Sequence, residues 1–389
     1  MSFTTVGYVL FVNTLDSESS AYPPVQNFID LYENEAERIT IIGPSGITLD
    51  HELVETVTIQ RNSSSTAPFR VLTYLWYQFV LALTLFHARD QYDTMFFHVG
   101  GTTLLLPILA CRLAGIPTNV FVIGSPGESY YETHGRSIVS TVMVQVLNGL
   151  ERLSYRFADR ILLLSTGMIS ADDKRLSSTE CIPANPNYID CEQFQRGPPA
   201  NERPYDIIYV GRFERVKGIL KLTRAVTQLV DRRPNLRVQL VGDGSLYDEI
   251  EQFLSKNGIS DQVDLTGWVD HDQIPSNLAA ARVLVLPSES EGVPTSMLEA
   301  MACGTVPIAS PVGGIPAVIS DGETGVLLPD NDPETIARTL DDVLDKDNLD
   351  AIGNHARDYI RQNHSYNTTA ERFHSLLAAD SEQMQDDAE

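Results

Sequence analysis

Residues 281–310 read ARVLVLPSESEGVPTSMLEAMACGTVPIAS. An apolar, β-branched run (281–288) gives way to a Gly/Pro loop. A short helical pattern then opens near Thr295, and a second apolar run follows (305–310). Strand, loop, helix, strand is a βαβ unit, and unbroken apolar strands belong to parallel sheets covered on both faces. The same alternation runs along the chain. Strands are expected at 6–12, 38–43, 94–100, 118–124 and 160–165, and again at 205–211, 236–242, 262–267, 281–288 and 305–310. The fold class is therefore α/β, with two Rossmann-like doubly wound domains facing a central cleft. The Pro-rich stretch RGPPANERP (196–204) reads as the linker, which sets domains at 1–195 and 205–360. Residues 361–389 read as a helix packing back toward the N-terminal domain, followed by a frayed acidic tail (378–389).

Composition narrows the partners. The 389 residues carry 28 bases against 52 acids, a net charge of −24, and the bases are 23 Arg and only 5 Lys. An acidic, Lys-poor surface stays hydrated in concentrated salt, so a halophile is expected, an archaeon first; an ordinary acidic mesophile is the alternative. Such a charge excludes a broad nucleic-acid footprint. Cys111, Cys181, Cys191 and Cys303 have no metal-like spacing and read as free thiols in a reducing cytoplasm. The N-terminus has no basic region or signal-type core, which argues against secretion. One segment, VLTYLWYQFVLALTLF (71–86), has no charge between Arg70 and His87. At 16 residues it is too short to span a bilayer. It reads as a packed crossover helix, with Trp76 and Phe79 in the core; an interfacial anchor is the other reading.

Two features of the second half suit a phosphate-bearing ligand. In DIIYVGRFERVKG (206–218) a strand runs into Gly211, Arg212 and Lys217 at a helix start, where backbone N–H groups and cations favour an anion. The Gly-Lys-Ser/Thr ending of a Walker A loop is absent. In SESEGVPTSMLE, Glu291 lies at the C-terminal edge of a parallel sheet, where such folds bind ligands, and Glu299 stands just past the first turn of the helix. A carboxylate there can accept from both hydroxyls of a ribose, while Glu291 in the loop can touch the sugar beyond the phosphates. Either acid alone would read as ordinary surface.

Together GRFERVKG, LVGDGSLYDEIE, LTGWVDHDQI and the run from 288 to 329 resemble retaining glycosyltransferase family 4, of the GT-B fold. Its Glu-x7-Glu pair is matched by Glu291 and Glu299. The resemblance implies a glycosyl transfer from a nucleotide-diphosphate sugar, UDP before GDP, to a hydroxyl acceptor with retention. It implies that Arg212 and Lys217 hold the diphosphate, Glu291 the sugar or phosphate, and Glu299 the ribose. Gly211, Gly242, Gly244, Trp268, Gly292 and Thr295 would frame the donor, with no metal and no cofactor beyond the co-substrate. The first domain would take the acceptor: a soluble carbohydrate, a glycolipid or a lipid-linked glycan. Peripheral contact with the inner membrane face follows from a lipid acceptor.

In the first half YDTMFFHVGG (92–101) resembles the family's acceptor-domain strand and puts His98 at a strand end. Two places depart from the pattern. The loop after the first strand (13–24) has no Gly, and VIGSPGES (122–129) lacks the usual His, for which His134 is the stand-in; a surface-loop role is the alternative. The departures leave two rivals, a non-catalytic nucleotide-sugar-binding scaffold and a nucleotide-sugar epimerase.

Overall fold

The structure is a computed structural model that describes residues 5–10, 22–33, 35–44, 47, 49, 51–60, 67–99, 104–122, 130–131, 135, 137–163 and 180–386. His134, the loop at 11–21 and the segment 123–129 lie outside the described residues. The chain forms two compact units, Met1–Asn187 with Thr369–Glu389, and Tyr188–Thr368.

In the first unit the strands are β1 (Thr5–Leu10), β2 (Arg38–Gly43), β3 (Val54–Thr58), β4 (Thr94–Val99), β5 (Thr118–Val122), β6 (Arg160–Leu163) and β7 (Glu180–Pro183). They form one parallel sheet in the order β3-β2-β1-β4-β5-β6-β7. The order reverses between β1 and β4, where a doubly wound sheet opens its ligand-binding crevice. The helices are α1 (Tyr22–Tyr32), α2 (Ala67–His87), α3 (Leu105–Ala114) and α4 (Ile138–Phe157). Tyr8, Phe28, Phe96 and Phe121 fill one face of the sheet at ring spacings of 4.1–6.4 Å. Tyr77, Leu81 and Leu85 of α2 pack with Phe97 and Ile108 on the other.

The second unit repeats the plan. Its strands are β8 (Tyr205–Val210), β9 (Val238–Val241), β10 (Val263–Gly267), β11 (Ala281–Leu286), β12 (Val306–Ala309) and β13 (Val326–Leu327). They are ordered β10-β9-β8-β11-β12-β13, all parallel. The helices are α5 (Ile219–Val230), α6 (Tyr247–Lys256), α7 (Ile274–Ala279), α8 (Thr295–Ala302), α9 (Pro333–Leu344) and α10 (Leu349–Asn363). Here the reversal falls between β8 and β11, the strands that lead into Gly211 and the Glu291 loop.

Two stretches differ from expectation. The Pro-rich segment 196–204 is not a loose connection but a clamp within the second unit. Arg203 is buried and donates to the carbonyls of Pro198, Ala281 and Cys303 and to Thr305 Oγ1 at 2.7–3.3 Å. Arg196 reaches Asp350 at 2.9 Å. The second is the tail: α11 (Tyr366–Asp386) carries helix well into the acidic stretch. Its Phe373 is fully buried against Tyr32 and Phe121. Its His374 meets the Leu31 carbonyl at 3.0 Å.

Candidate active site

Strand β8 ends at Val210, and Tyr209 donates its hydroxyl to the Arg212 carbonyl at 2.8 Å, which pins the turn that follows. Arg212 is exposed on that turn. A 3₁₀ turn (Arg215–Lys217) then delivers Lys217 to the mouth of α5. Beyond β11 the loop brings Glu291 to the same place. Lys217 Nζ lies 2.9 and 2.8 Å from the two carboxylate oxygens of Glu291, and Ser288 Oγ donates to Oε1 at 2.7 Å. The Glu291 side chain is only 8% exposed and the Lys217 side chain 22%, so the pair is held away from bulk water. Buried charges persist when they are paired and hydrogen-bonded, and this pair is both.

Backbone contacts weld the two loops. Glu289 N–H donates to the Val216 carbonyl at 2.8 Å. Gly218 has φ 70°, and a Cβ there would stand 2.0 Å from the Pro287 carbonyl, so only glycine allows the Lys217 turn this close to the Glu291 loop. On the far side Gly313 (φ 57°) backs the loop; a Cβ there would come within 1.8 Å of the Glu291 carbonyl. Its neighbour Gly314 donates N–H to the Gly292 carbonyl at 2.7 Å. Asn331 Nδ2 holds the Ser288 carbonyl at 3.1 Å.

Glu299 stands elsewhere. It is the fifth residue of α8, which opens at Thr295, and it is buried. It faces His271 rather than Glu291: His271 Nε2 lies 3.0 Å from Glu299 Oε1. The hydrogen bond to Glu299 raises the His271 pKa above its ordinary value, against the opposing pull of partial burial. Phe194 packs against the His271 ring at 5.8 Å. Gly211, Gly242 and Gly244 meet around Phe213, whose N–H donates to the Asp243 carbonyl at 2.8 Å. Gly242 N–H pairs with Gly267 at 2.8 Å, next to the exposed Trp268. In the first unit Tyr8 and His98 meet across β1 and β4, hydroxyl to Nδ1 at 2.6 Å. Burial pushes the His98 pKa down to about 4, so this imidazole is neutral at physiological pH.

The structure thus joins Lys217 to Glu291 and gathers the three glycines, and it gives Glu299 a partner of its own. Ser288, His271, Asn331, Gly313 and Gly314 were not singled out from the sequence. The Gly-Gly pair in SPVGGIP was the readable signal for the last two; nothing local marks His271, which lies 28 residues from Glu299.

The geometry agrees with kinship. Residues 190–363 match the family described as Glycosyl transferases group 1. The matched span covers nearly all of the second unit. Across 265 residues, 64% of this chain and 67% of the relative, the sequence is 26% identical to the alpha-D-kanosaminyltransferase of Streptomyces kanamyceticus. It is 37% identical over 153 residues to the D-inositol 3-phosphate glycosyltransferase of Streptomyces scabiei, 37% of this chain and 34% of that protein. This match spans about a third of the relative's length. Among solved structures, Anabaena HepE in complex with UDP and glucose superposes with a TM-score of 0.71 at 17% identity, covering 96% of this chain and 99% of that one. This likeness is one of fold, two parallel-sheet Rossmann-like domains of the GT-B type.

Proposed function

We propose that the protein transfers a glycosyl group from a nucleotide-diphosphate sugar to a hydroxyl acceptor, with retention of configuration and without a metal. The observation that carries this reading is the Lys217–Glu291 pair at the sheet reversal of the group 1 domain. Lys217 and Arg212, with the N–H groups at the start of α8, hold the diphosphate and stabilise the charge that grows on it as the glycosidic bond breaks. Glu291, already tied to Lys217, faces the sugar end, and Glu299 accepts from the ribose hydroxyls once His271 yields. The acceptor hydroxyl attacks on the face the diphosphate leaves. UDP is the preferred nucleotide, supported by the HepE complex with UDP and glucose. Gly211, Gly242, Gly244 and Trp268 frame the base. All four cysteines are free, in keeping with a cytoplasmic setting, where glycolipid, lipid-linked glycan and soluble sugar acceptors are all met.

Calorimetric and thermal-shift titration with UDP, GDP and their sugars tests the donor site. Ligand at 100 times its dissociation constant should stabilise the fold by about 2.7 kcal/mol. Turnover on an accepted hydroxyl, with the product anomer read by NMR, tests the reaction. Binding without any donor turnover would leave a scaffold; release of an altered nucleotide sugar without acceptor would make it an epimerase.

A further inference from the structure

Helices α2, α3 and α4 lie side by side on one face of the first sheet. Their outer surface is apolar. On α2, Leu72, Leu75, Trp76, Phe79 and Leu83 point away from the core, with Trp76 64% exposed. On α4, Ile138, Val142, Val146, Leu150 and Leu153 recur at spacings of four and three, one continuous stripe, and Ile138 is 86% exposed. Leu113 at the end of α3 is 72% exposed and lies in the same layer. The crossover helix is therefore not packed all round: Tyr77, Leu81 and Leu85 serve the core, while Trp76 and Phe79, expected inside, face outward. An apolar surface spread over three adjacent helices is larger than the scattered residues a soluble monomer carries, and it marks a partner.

Charge identifies the partner. The chain holds 52 acids in 389 residues, yet the 51 residues of these three helices contain one, Glu151. That carboxylate is buried and accepts from the Tyr155 hydroxyl at 2.8 Å, so it does not face outward. The same helices contain four arginines, of which Arg112 is paired with Asp159. Arg152 and Arg156 are exposed one turn apart on α4; Arg89, just past α2, lies over the Phe86 ring but is paired with the exposed Asp90 at 3.7 Å and adds no net charge. A surface stripped of acids within a chain of net charge −24 is turned toward a negative, apolar partner. A second copy of the chain would bring −24 against −24. Two grooves beside Trp76, of ≈ 610 Å³ and ≈ 560 Å³, give the face relief into which lipid can settle; Phe79, Leu83 and His87 line one, Leu72 and Thr73 the other.

We propose that the outer face of α2, α3 and α4 docks on an anionic lipid bilayer, lying in its interface. Trp76 and Phe79 sit among the acyl chains near the headgroups, and Arg152 and Arg156 meet the lipid phosphates. Among the described residues no helix is long and apolar enough to cross a membrane, so the contact is peripheral. The acidic remainder of the chain is repelled by the same surface, which fixes the orientation.

Docking needs no nucleotide and is independent of the transfer reaction, so it is tested by vesicle co-sedimentation of the full chain. Vesicles of equal parts phosphatidylglycerol and phosphatidylcholine are compared with phosphatidylcholine alone, at the lowest KCl in which the chain is folded. The parent should bind the anionic vesicles at least about tenfold more tightly. The triple variant Trp76→Ser, Phe79→Ser, Val142→Ser should lose binding about tenfold or more while its melting temperature holds. Arg152→Glu with Arg156→Glu, also exposed, should lose at least about tenfold by a purely electrostatic route that added KCl mimics in the parent. Binding that neither variant alters overturns the proposal. So does a parent that ignores both vesicles, or one whose apolar face instead mediates a concentration-dependent dimer that vesicles do not compete away.

Discussion

At the scale of single residues, Lys217 and Glu291 neutralise each other in a site shut off from most water. Lys217→Ala leaves a carboxylate with 8% exposure whose remaining side-chain donor, among the described residues, is Ser288. Breaking such a pair from one side costs about 3 kcal/mol in stability, whereas removing both partners costs less, so Lys217→Ala with Glu291→Ala should recover part of the loss in denaturant titration. If Lys217 also meets the donor diphosphate, kcat falls by about 10²- to 10³-fold in the single variant. Turnover that survives Lys217→Ala would remove it from the reaction. If Glu299 holds the donor ribose as proposed, Glu299→Ala should instead weaken donor binding by about 1.5–3 kcal/mol, seen in KM, because such hydrogen bonds are made alike before and during transfer. An unchanged affinity for the free nucleotide would detach Glu299 from the ribose.

His271 adds a pH dependence of known sign. Its folded pKa is raised by Glu299, so its contribution to stability is full below about pH 6.5, the value for an unpaired histidine, and declines as pH rises through the higher folded pKa. Melting temperatures taken between pH 6 and pH 9 should show this component in the parent and not in His271→Gln, by comparison of the two profiles. Because the ring is largely solvent-exposed, the effect is modest.

At the scale of elements, Gly313 is a sensitive position outside the charged pair. Alanine there must both strain a left-handed backbone and push the Glu291 carbonyl aside, costing about 1–3 kcal/mol. Because the displaced loop carries Glu291, Gly313→Ala should lower kcat as well as stability; a variant that melts earlier but turns over normally would separate the glycine from the site. The central strands, β1, β4, β5, β8 and β11, were legible because strands buried on both faces appear as unbroken apolar runs. Of the four edge strands only β10 was, as the expected strand at 262–267. β3, VETVT, has exposed residues including Glu55, β7 is four residues long and β13 two, and such pieces pair only because a finished sheet offers an edge. The residue types of the site were readable from GRFERVKG and SESEGVPTSMLE, but their pairing was not. No spacing rule tells that Lys217, 74 residues away, meets Glu291, or that Glu299 meets His271. For α2, hydropathy identified a helix but could not tell the half that packs on the sheet from the half that carries Trp76.

At the scale of the whole molecule, a net charge of −24 repels itself once salt is removed, as the Debye length grows from ~3 Å at 1 M to ~30 Å at 0.01 M. The melting temperature should climb with KCl into the molar range. A flat profile between about 0.1 and 1 M KCl would show that the acidic surface is not an adaptation to salt.

The chain leaves the first unit after Asn187 and returns to it at Thr369, and the two ends of the second unit are tied by Ile189 N–H to the His364 carbonyl at 2.7 Å. In synthesis this inverts the usual order. Phe373, which closes the aromatic core between Tyr32 and Phe121, leaves the ribosome only after all of residues 188–368 have been made. At about 5–20 residues per second the N-terminal sheet waits roughly 10–40 s with that core open. The nascent N-terminal half is therefore the portion exposed to chaperones, and a ribosome stalled before residue 369 should present a first unit that lacks its closing helix.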